Sequence, residues 1–245
     1  IFTALMKTDI DPAALTALSL ATIAAYLGVT VTAALFVRVS GLHRRTYLAP
    51  MIFGNTGNLG LPLALFAFGD EGLGYAVVVF AIMAIWTFTF GIWLVAGAGS
   101  FGKVLREPLV WATLLGGLFL WQDWHTPRFL TNTLELIGQM AIPLMLITLG
   151  VAVARLTPGG IGRAVVLSVI KLALCVGIAW LAALASGLNH TAFGVLVLQV
   201  ATPVAVTSYL LAEKYGADSQ SVAGLVVVST LLSVGALPLL LAILL

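Results

Sequence analysis

An all-α, polytopic membrane protein is the fold class this sequence predicts, and three observations predict it. Of its residues 61% are hydrophobic and only 8% are charged, against about 25% charged in ordinary soluble domains. Mean hydropathy is +1.15. Apolar stretches close to the roughly 20 residues that a helix needs to cross a bilayer recur from end to end, separated by short charged or Gly/Pro-rich breaks. A transmembrane barrel would alternate apolar with polar residues, whereas these runs are continuous.

Taken in order, the chain opens IFTALMKTDID, which reads as the tail of a helix whose start lies ahead of Ile1. The apolar residues before Lys7 are too few for a signal peptide or a span. Eight complete spans follow, roughly 13–37, 46–68, 73–96, 108–122, 132–153, 164–185, 191–212 and 219–243. The single Cys175 falls within a span, which excludes an internal disulfide and points to no metal cluster. A net charge of +2 and the absence of a basic patch give no sign of a nucleic-acid partner.

Basic residues orient such chains. One set of alternate loops holds Arg38, Arg44, Arg45, Lys103, Arg106, Arg155, Arg163 and Lys214. The other set holds Lys7 and Arg128 among Asp9, Asp11, Asp70, Glu71 and Asp123. The first set is therefore expected on the cytoplasmic side of a cell membrane, which puts both ends of the chain outside.

Two spans are interrupted. FGNTGNLGLPLALF, residues 53–66, sets two asparagines, a threonine, three glycines and Pro62 within apolar sequence. QVATPVAVTSYLLAEKY, residues 199–215, sets Pro203 in a polar context within the seventh span. By the charge count these two spans run in opposite directions, five spans apart. An odd-numbered repeat inverts its own topology, and paired discontinuous helices are a pointer to a transporter binding site. The expected organisation is an incomplete first inverted repeat at 1–97, a cytoplasmic linker at 98–107 and a second repeat at 108–245. Each repeat has five spans on this reading, so the first is two short. Pro143 marks a third mid-span proline, read as a kink.

A proline removes a backbone donor and disturbs the preceding turn, while glycines tolerate unusual backbone angles. Amides and carbonyls freed at membrane depth must face protein or a watery cavity. Half-helices starting near Gly60 and near Pro203 would aim positive ends into such a cavity, a site suited to an anion such as a carboxylate. The candidate binding residues are Asn55, Thr56, Asn58 and Pro62 in the first break, with Gln199, Thr202 and Pro203 in the second. Lys171 is the basic residue near mid-membrane, and two roles stay open for it. It attracts the anion or stands in for a coupling cation, or it bonds freed carbonyls and holds the crossing together. Ser229, Thr230 and Ser233 are weaker candidates, since hydroxyls often bond their own helix.

Catalytic readings find little support. GAGSFG (97–102) matches a dinucleotide fingerprint that has meaning only after a strand. His43, His125 and His190 lack metal-ligand spacing, and no nucleophile–base constellation or intramembrane carboxylate pair is present. No enzyme, cofactor or metal is expected.

GNTGNLGLPL (54–63), GDEGLGYA (69–76), IPLMLITLGVAVA (142–154), TPVAVTSYLLAEKYGAD (202–218) and STLLSVGALPLL (229–240) together resemble the auxin efflux carrier family. The resemblance covers almost the whole chain. It implies ten spans in two inverted five-span repeats, with crossing broken helices in the fourth and ninth. On it, Asn55 and Pro62 match the first crossover and Pro203 the second. Asn55 inherits contact with the substrate carboxylate. Val204 and Ala205 stand where plant carriers have more polar or glycine residues, so malate or malonate fits better than auxin. The short FGKVLREP linker (101–108) resembles that of a bacterial member. The expected function is secondary transport of small organic anions by an elevator-like or rocking movement. Coupling to a proton or sodium, and a homodimer, are further expectations. The alternative is a membrane ligand sensor that binds without net transport.

Overall fold

The computed structural model describes residues 11–96 and 124–245, with positions 2, 111, 112, 115, 116, 118, 119 and 122. GAGSFG, the 98–107 linker and most of the predicted 108–122 span lie outside the described residues. Helix α1 is Pro12–Val39, begun by Asp11, whose carboxylate accepts from the Ala13 amide at 3.1 Å, with Pro12 in the first turn. Neither position loses a helical hydrogen bond there, since first-turn donors have no partner within the helix. Helix α2 is Arg44–Ile52 and α3 is Leu61–Trp86, joined by the first break. A π-helical turn at Thr87–Gly91 leads into the short α4, Ile92–Ala96. The second half of the described chain contains α5 (Arg128–Gln139), α6 (Ala141–Arg155), α7 (Ile161–Ala185), α8 (His190–Val200), α9 (Val206–Lys214) and α10 (Ser219–Leu244).

The fold is all-α and polytopic. Among the described residues five helices are long and apolar enough to cross a membrane: Pro12–Val39, Thr56–Val95, Arg128–Arg155, Ile161–Ala185 and Ser219–Leu244. The expected spans 46–68 and 73–96 meet at Gly69, whose φ of 66° turns the chain sharply inside α3. Such a positive φ suits glycine and few other residues. The expected 132–153 span is interrupted at Met140, between α5 and α6. Pro143 explains the position, because a proline ring crowds the carbonyl four residues earlier, here that of Gln139.

A long helix, a broken span and another long helix occur twice in order, as α1 to α4 and as α7 to α10. The groups interlock: α1 packs on α7, α3 on α8 and α2 on α10. The α1–α7 seam is built from small side chains one turn apart. Ala21, Ala25, Val29 and Ala33 are buried on α1, and Cys175, Ala179 and Ala183 on α7. Small residues let helices approach closely where lipid supplies no hydrophobic drive. Lys171 lies on that same buried face of α7. Helix α6 packs beside the first break and on α3.

Candidate functional site

The site is the place where the two broken spans cross. In the first break α2 ends at Ile52, and Phe53 is extended with φ −89° and ψ 121°. The chain re-forms as a π-helical turn at Thr56–Gly60 that continues into α3. The helix thus resumes at Thr56 and not near Gly60 as expected. Pro62 accounts for the wide turn: it has no amide to return and its ring would press on the carbonyl of Asn58, so the turn opens ahead of it. The Asn55 carbonyl accepts from the amides of both Leu59 and Gly60, each at 3.1 Å. The amides of Thr56, Gly57 and Asn58 are then the first-turn donors left without an intrahelical acceptor.

In the second break α8 ends at Val200 and α9 starts at Val206, with Ala205 extended at φ −65° and ψ 136°. The two breaks meet as an antiparallel bridge between Gly54 and Val204. The Asn55 amide donates to the Pro203 carbonyl at 2.7 Å, and the Ala205 amide to the Phe53 carbonyl at 3.1 Å. Backbone groups freed by interrupting two helices therefore satisfy one another, as burial in an apolar medium demands. The approach requires Gly54, since a Cβ there would overlap the Thr202 hydroxyl. A Cβ on Gly60 would likewise overlap the side-chain carbonyl of Gln199.

Of the predicted residues, Asn55, Thr56, Gln199, Thr202 and Pro203 converge on this crossing, and all are buried. Pro62 is buried in the first turn of α3, while Asn58 is half-buried on the π-helical turn that packs against α6. Asn55 Nδ2, Thr56 Oγ1 and both side-chain amide atoms of Gln199 are buried without a hydrogen-bond partner. Unpaired buried polar atoms are rare in native proteins and call for an explanation.

On the α7–α10 side Lys171, Ser229 and Thr202 are paired. Lys171 Nζ donates to the Thr202 carbonyl at 3.0 Å and lies 3.8 Å from Cys175 Sγ. Of the two roles left open for Lys171, this is the geometry of a bond to a freed carbonyl. Ser229 Oγ accepts from the Val204 amide at 3.0 Å and donates to the Val226 carbonyl at 3.3 Å, so it ties two elements together as well as its own helix. Thr202 Oγ1 donates to the Gln199 carbonyl at 2.7 Å. Ser168, one turn before Lys171, is buried with its hydroxyl unpaired. Sequence reasoning passed over Ser168, although its i, i+3 spacing from Lys171 was the available signal. A cavity of about 20 Å³ touches Ser168, Lys171, Thr202, Pro203, Ser229 and Ser233. A separate cavity of about 730 Å³ lies at the loop end of the bundle, bordered by His43, Tyr47, Arg163 and Asp218. Arg163 donates to the Tyr47 hydroxyl there at 3.2 Å.

Among the described residues no group of three or more His, Cys, Asp or Glu could hold a metal ion. What remains is a set of buried hydrogen-bond donors at a helix crossing within the bilayer span.

Known proteins share this sequence pattern. Residues 100–241, more than half of the chain, match the family model described as "Membrane transport protein". The chain is 30% identical over 196 residues to a protein of Methanothermobacter thermautotrophicus named as an uncharacterized transporter, covering 76% of this chain and 63% of that protein. It is 24% identical over 195 residues to another so named in Methanocaldococcus jannaschii, covering 74% of this chain and 62% of that one. The matched regions thus span under two thirds of the length of these curated relatives. The extent of the family match shows that the chain belongs to the membrane transport protein family, the one that includes the auxin efflux carriers.

Proposed function

We propose that the protein is a secondary transporter of small organic anions and that it binds the substrate carboxylate at the crossing. The observation that carries this is the cluster of buried, unpaired atoms, Asn55 Nδ2, Thr56 Oγ1 and the Gln199 carboxamide, beside the first-turn amides of the π-helical turn. A carboxylate accepts hydrogen bonds at both oxygens and carries the charge that a helix start favours. Asn55, Thr56 and Gln199 Nε2 donate to it, Asn58 adds a half-buried carboxamide on the same turn, and Thr202, Pro203 and Pro62 hold the backbone in position. The doubled order of long helix, broken span and long helix supports two inverted repeats, 1–97 and 108–245 about a linker at 98–107. The solute is exposed to alternate sides of the cell membrane as the crossing bundle shifts against α5 and α6. Both ends of the chain lie outside on this reading.

The test is uptake of labelled malate, malonate and indole-3-acetate into proteoliposomes, comparing wild type with Asn55→Ala. Losing a charge-assisted hydrogen bond of about 1.5–3 kcal/mol weakens binding by roughly 10- to 150-fold. Saturable uptake of one acid with an apparent affinity reduced by that factor in the variant is the expected result. Uptake with equal affinity in both proteins would refute the site. Thermal stabilisation by an acid that is never transported would favour a sensor.

A further inference from the structure

The unpaired atoms at the crossing are not all donors. Asn55 Nδ2, Thr56 Oγ1 and Gln199 Nε2 have hydrogens to give, whereas Gln199 Oε1 can only accept. Gln199 is fully buried in the last turn of α8. Its carboxamide lies so close to Gly60 that a Cβ there would overlap Oε1. The backbone donors beside it in the first break are committed or missing. The Gly60 amide goes to the Asn55 carbonyl at 3.1 Å, the Leu61 amide goes to the Thr56 carbonyl, and Pro62 has none. On its own side the Thr202 hydroxyl is given to the Gln199 backbone carbonyl at 2.7 Å. Exchanging the two carboxamide atoms changes nothing, since both are unpaired.

A carboxylate answers the donors but not this acceptor, because its oxygens carry no hydrogen. A buried acceptor left unpaired weakens binding as surely as a lost bond does. We propose that Gln199 selects the solute by requiring a donor beside its carboxylate, so that the substrates are 2-hydroxy acids in preference to plain mono- and dicarboxylates. This selection rests on the carboxylate-binding reading above. In a 2-hydroxy acid the hydroxyl and the carboxylate sit on adjacent carbons and meet one carboxamide together. The carboxylate oxygen accepts from Nε2 and the hydroxyl donates to Oε1. A 2-oxo acid presents a second acceptor to Oε1 and is the worst fit. A 2-amino acid has a donor, but its positive charge is opposed by the helix start beside it. Sites that bond a solute's hydroxyl reject the analogue lacking it far more sharply than apolar pockets discriminate by size.

The experiment titrates the purified protein with lactate, propionate and pyruvate, and with malate and succinate, so that each comparison changes one carbon's substituent. Apparent Kd is read from the dependence of thermal stabilisation on acid concentration. Wild type should hold each hydroxy acid roughly 5- to 150-fold more tightly than its deoxy partner, with pyruvate no better than propionate. Gln199→Met keeps the volume and removes both polar atoms. Its hydroxy-to-deoxy ratio should fall to about one, and without solute it should unfold no lower than wild type, since no side-chain bond is lost. Asn55→Ala should weaken both members of each pair and keep the ratio. Equal affinity for hydroxy and deoxy acids in wild type would overturn the proposal and leave the carboxylate reading intact. A ratio that survives Gln199→Met would overturn the assignment to Gln199. If that variant does not fold, Gln199→Leu makes the same comparison. No stabilisation by any of these acids would count against the carboxylate reading itself, and the selection would fall with it.

Discussion

The two breaks differ in how their polar atoms are used. At the second, Thr202 O meets Lys171, Pro203 O meets the Asn55 amide, Val204 N meets Ser229 and Ala205 N meets Phe53 O. At the first, the backbone shares in that bridge, but Asn55 Nδ2 and Thr56 Oγ1 have no partner, and nor does the Gln199 side chain that leans on Gly60. The second break is closed along its backbone, and its one unpaired side chain among the candidate residues, Gln199, faces Gly60 of the first. The other keeps donors in reserve. An interrupted helix in a membrane therefore need not be a binding element throughout, and the pairing of each atom tells which part is structural.

The strongest way to break the comparison is to push the joint apart. Gly54→Val would drive its side chain into Thr202, whose carbonyl lies 3.3 Å from even a Cβ. Overpacking of this kind costs about 1–3 kcal/mol, to which the loss of bridge bonds is added. A fall in transition temperature larger than that of any other variant named here is expected. Adding Thr202→Ala should return part of it, and no return would mean that the clash is not with the threonine. Next in size is Ser229→Ala, which leaves the buried Val204 amide without its acceptor, a cost of about 1–3 kcal/mol. Asn55→Ala provides the contrast. It removes an atom that has no partner, so the transition temperature should hold or rise slightly while carboxylate affinity falls. If Asn55→Ala destabilises as much as Ser229→Ala, the distinction between the two breaks collapses.

The smallest effect lies outside the membrane and serves as a control. Asp218 begins α10, accepting from the Ser221 hydroxyl at 2.6 Å and the Ser221 amide at 3.0 Å. The hydroxyl bond, then the amide bond, hold its carboxyl below the usual carboxylate range. Its folded pKa is depressed, so its stabilisation is present above the unfolded pKa and is lost as acid protonates it, below about pH 4. Asp218→Ala should cost about 0.5–2 kcal/mol at neutral pH, toward the low end because the residue is exposed. The difference from wild type should vanish in acid. It should also leave anion affinity unchanged, since Asp218 borders the loop-end cavity with His43, Tyr47 and Arg163 and is bonded to Ser221, not to the residues of the crossing.

Much of this was legible from residue types. Pro62, Pro203 and the Gly/Asn cluster announced two interruptions, because these residues fail locally in a helix whatever surrounds them. Gly69 and Asp70 marked a corner for the same reason. The register of Gly54 opposite Val204 was not legible, since it depends on two distant segments meeting at one height. The wide turn at Thr56–Gly60 was hidden as well: glycines permit it, but only the combination of Pro62 below and a crossing chain above selects it. In the sequence Ser229 reads as a hydroxyl that bonds its own helix, which it does, while also holding Val204. A hydroxyl's second bond belongs to tertiary structure and leaves no trace in a single sequence.

The Gly54–Val204 bridge also sets a schedule for biogenesis. The first broken span is synthesised long before the second, so the Phe53 carbonyl and Asn55 amide wait in the membrane for Ala205 and Pro203 to be made. Backbone groups left open to lipid cost several kcal/mol each, which disfavours final placement of that segment until its partner arrives. Insertion of the early helices and closure of the crossing are therefore separate events in time. Closure is the long-range step, and one expected to be slow.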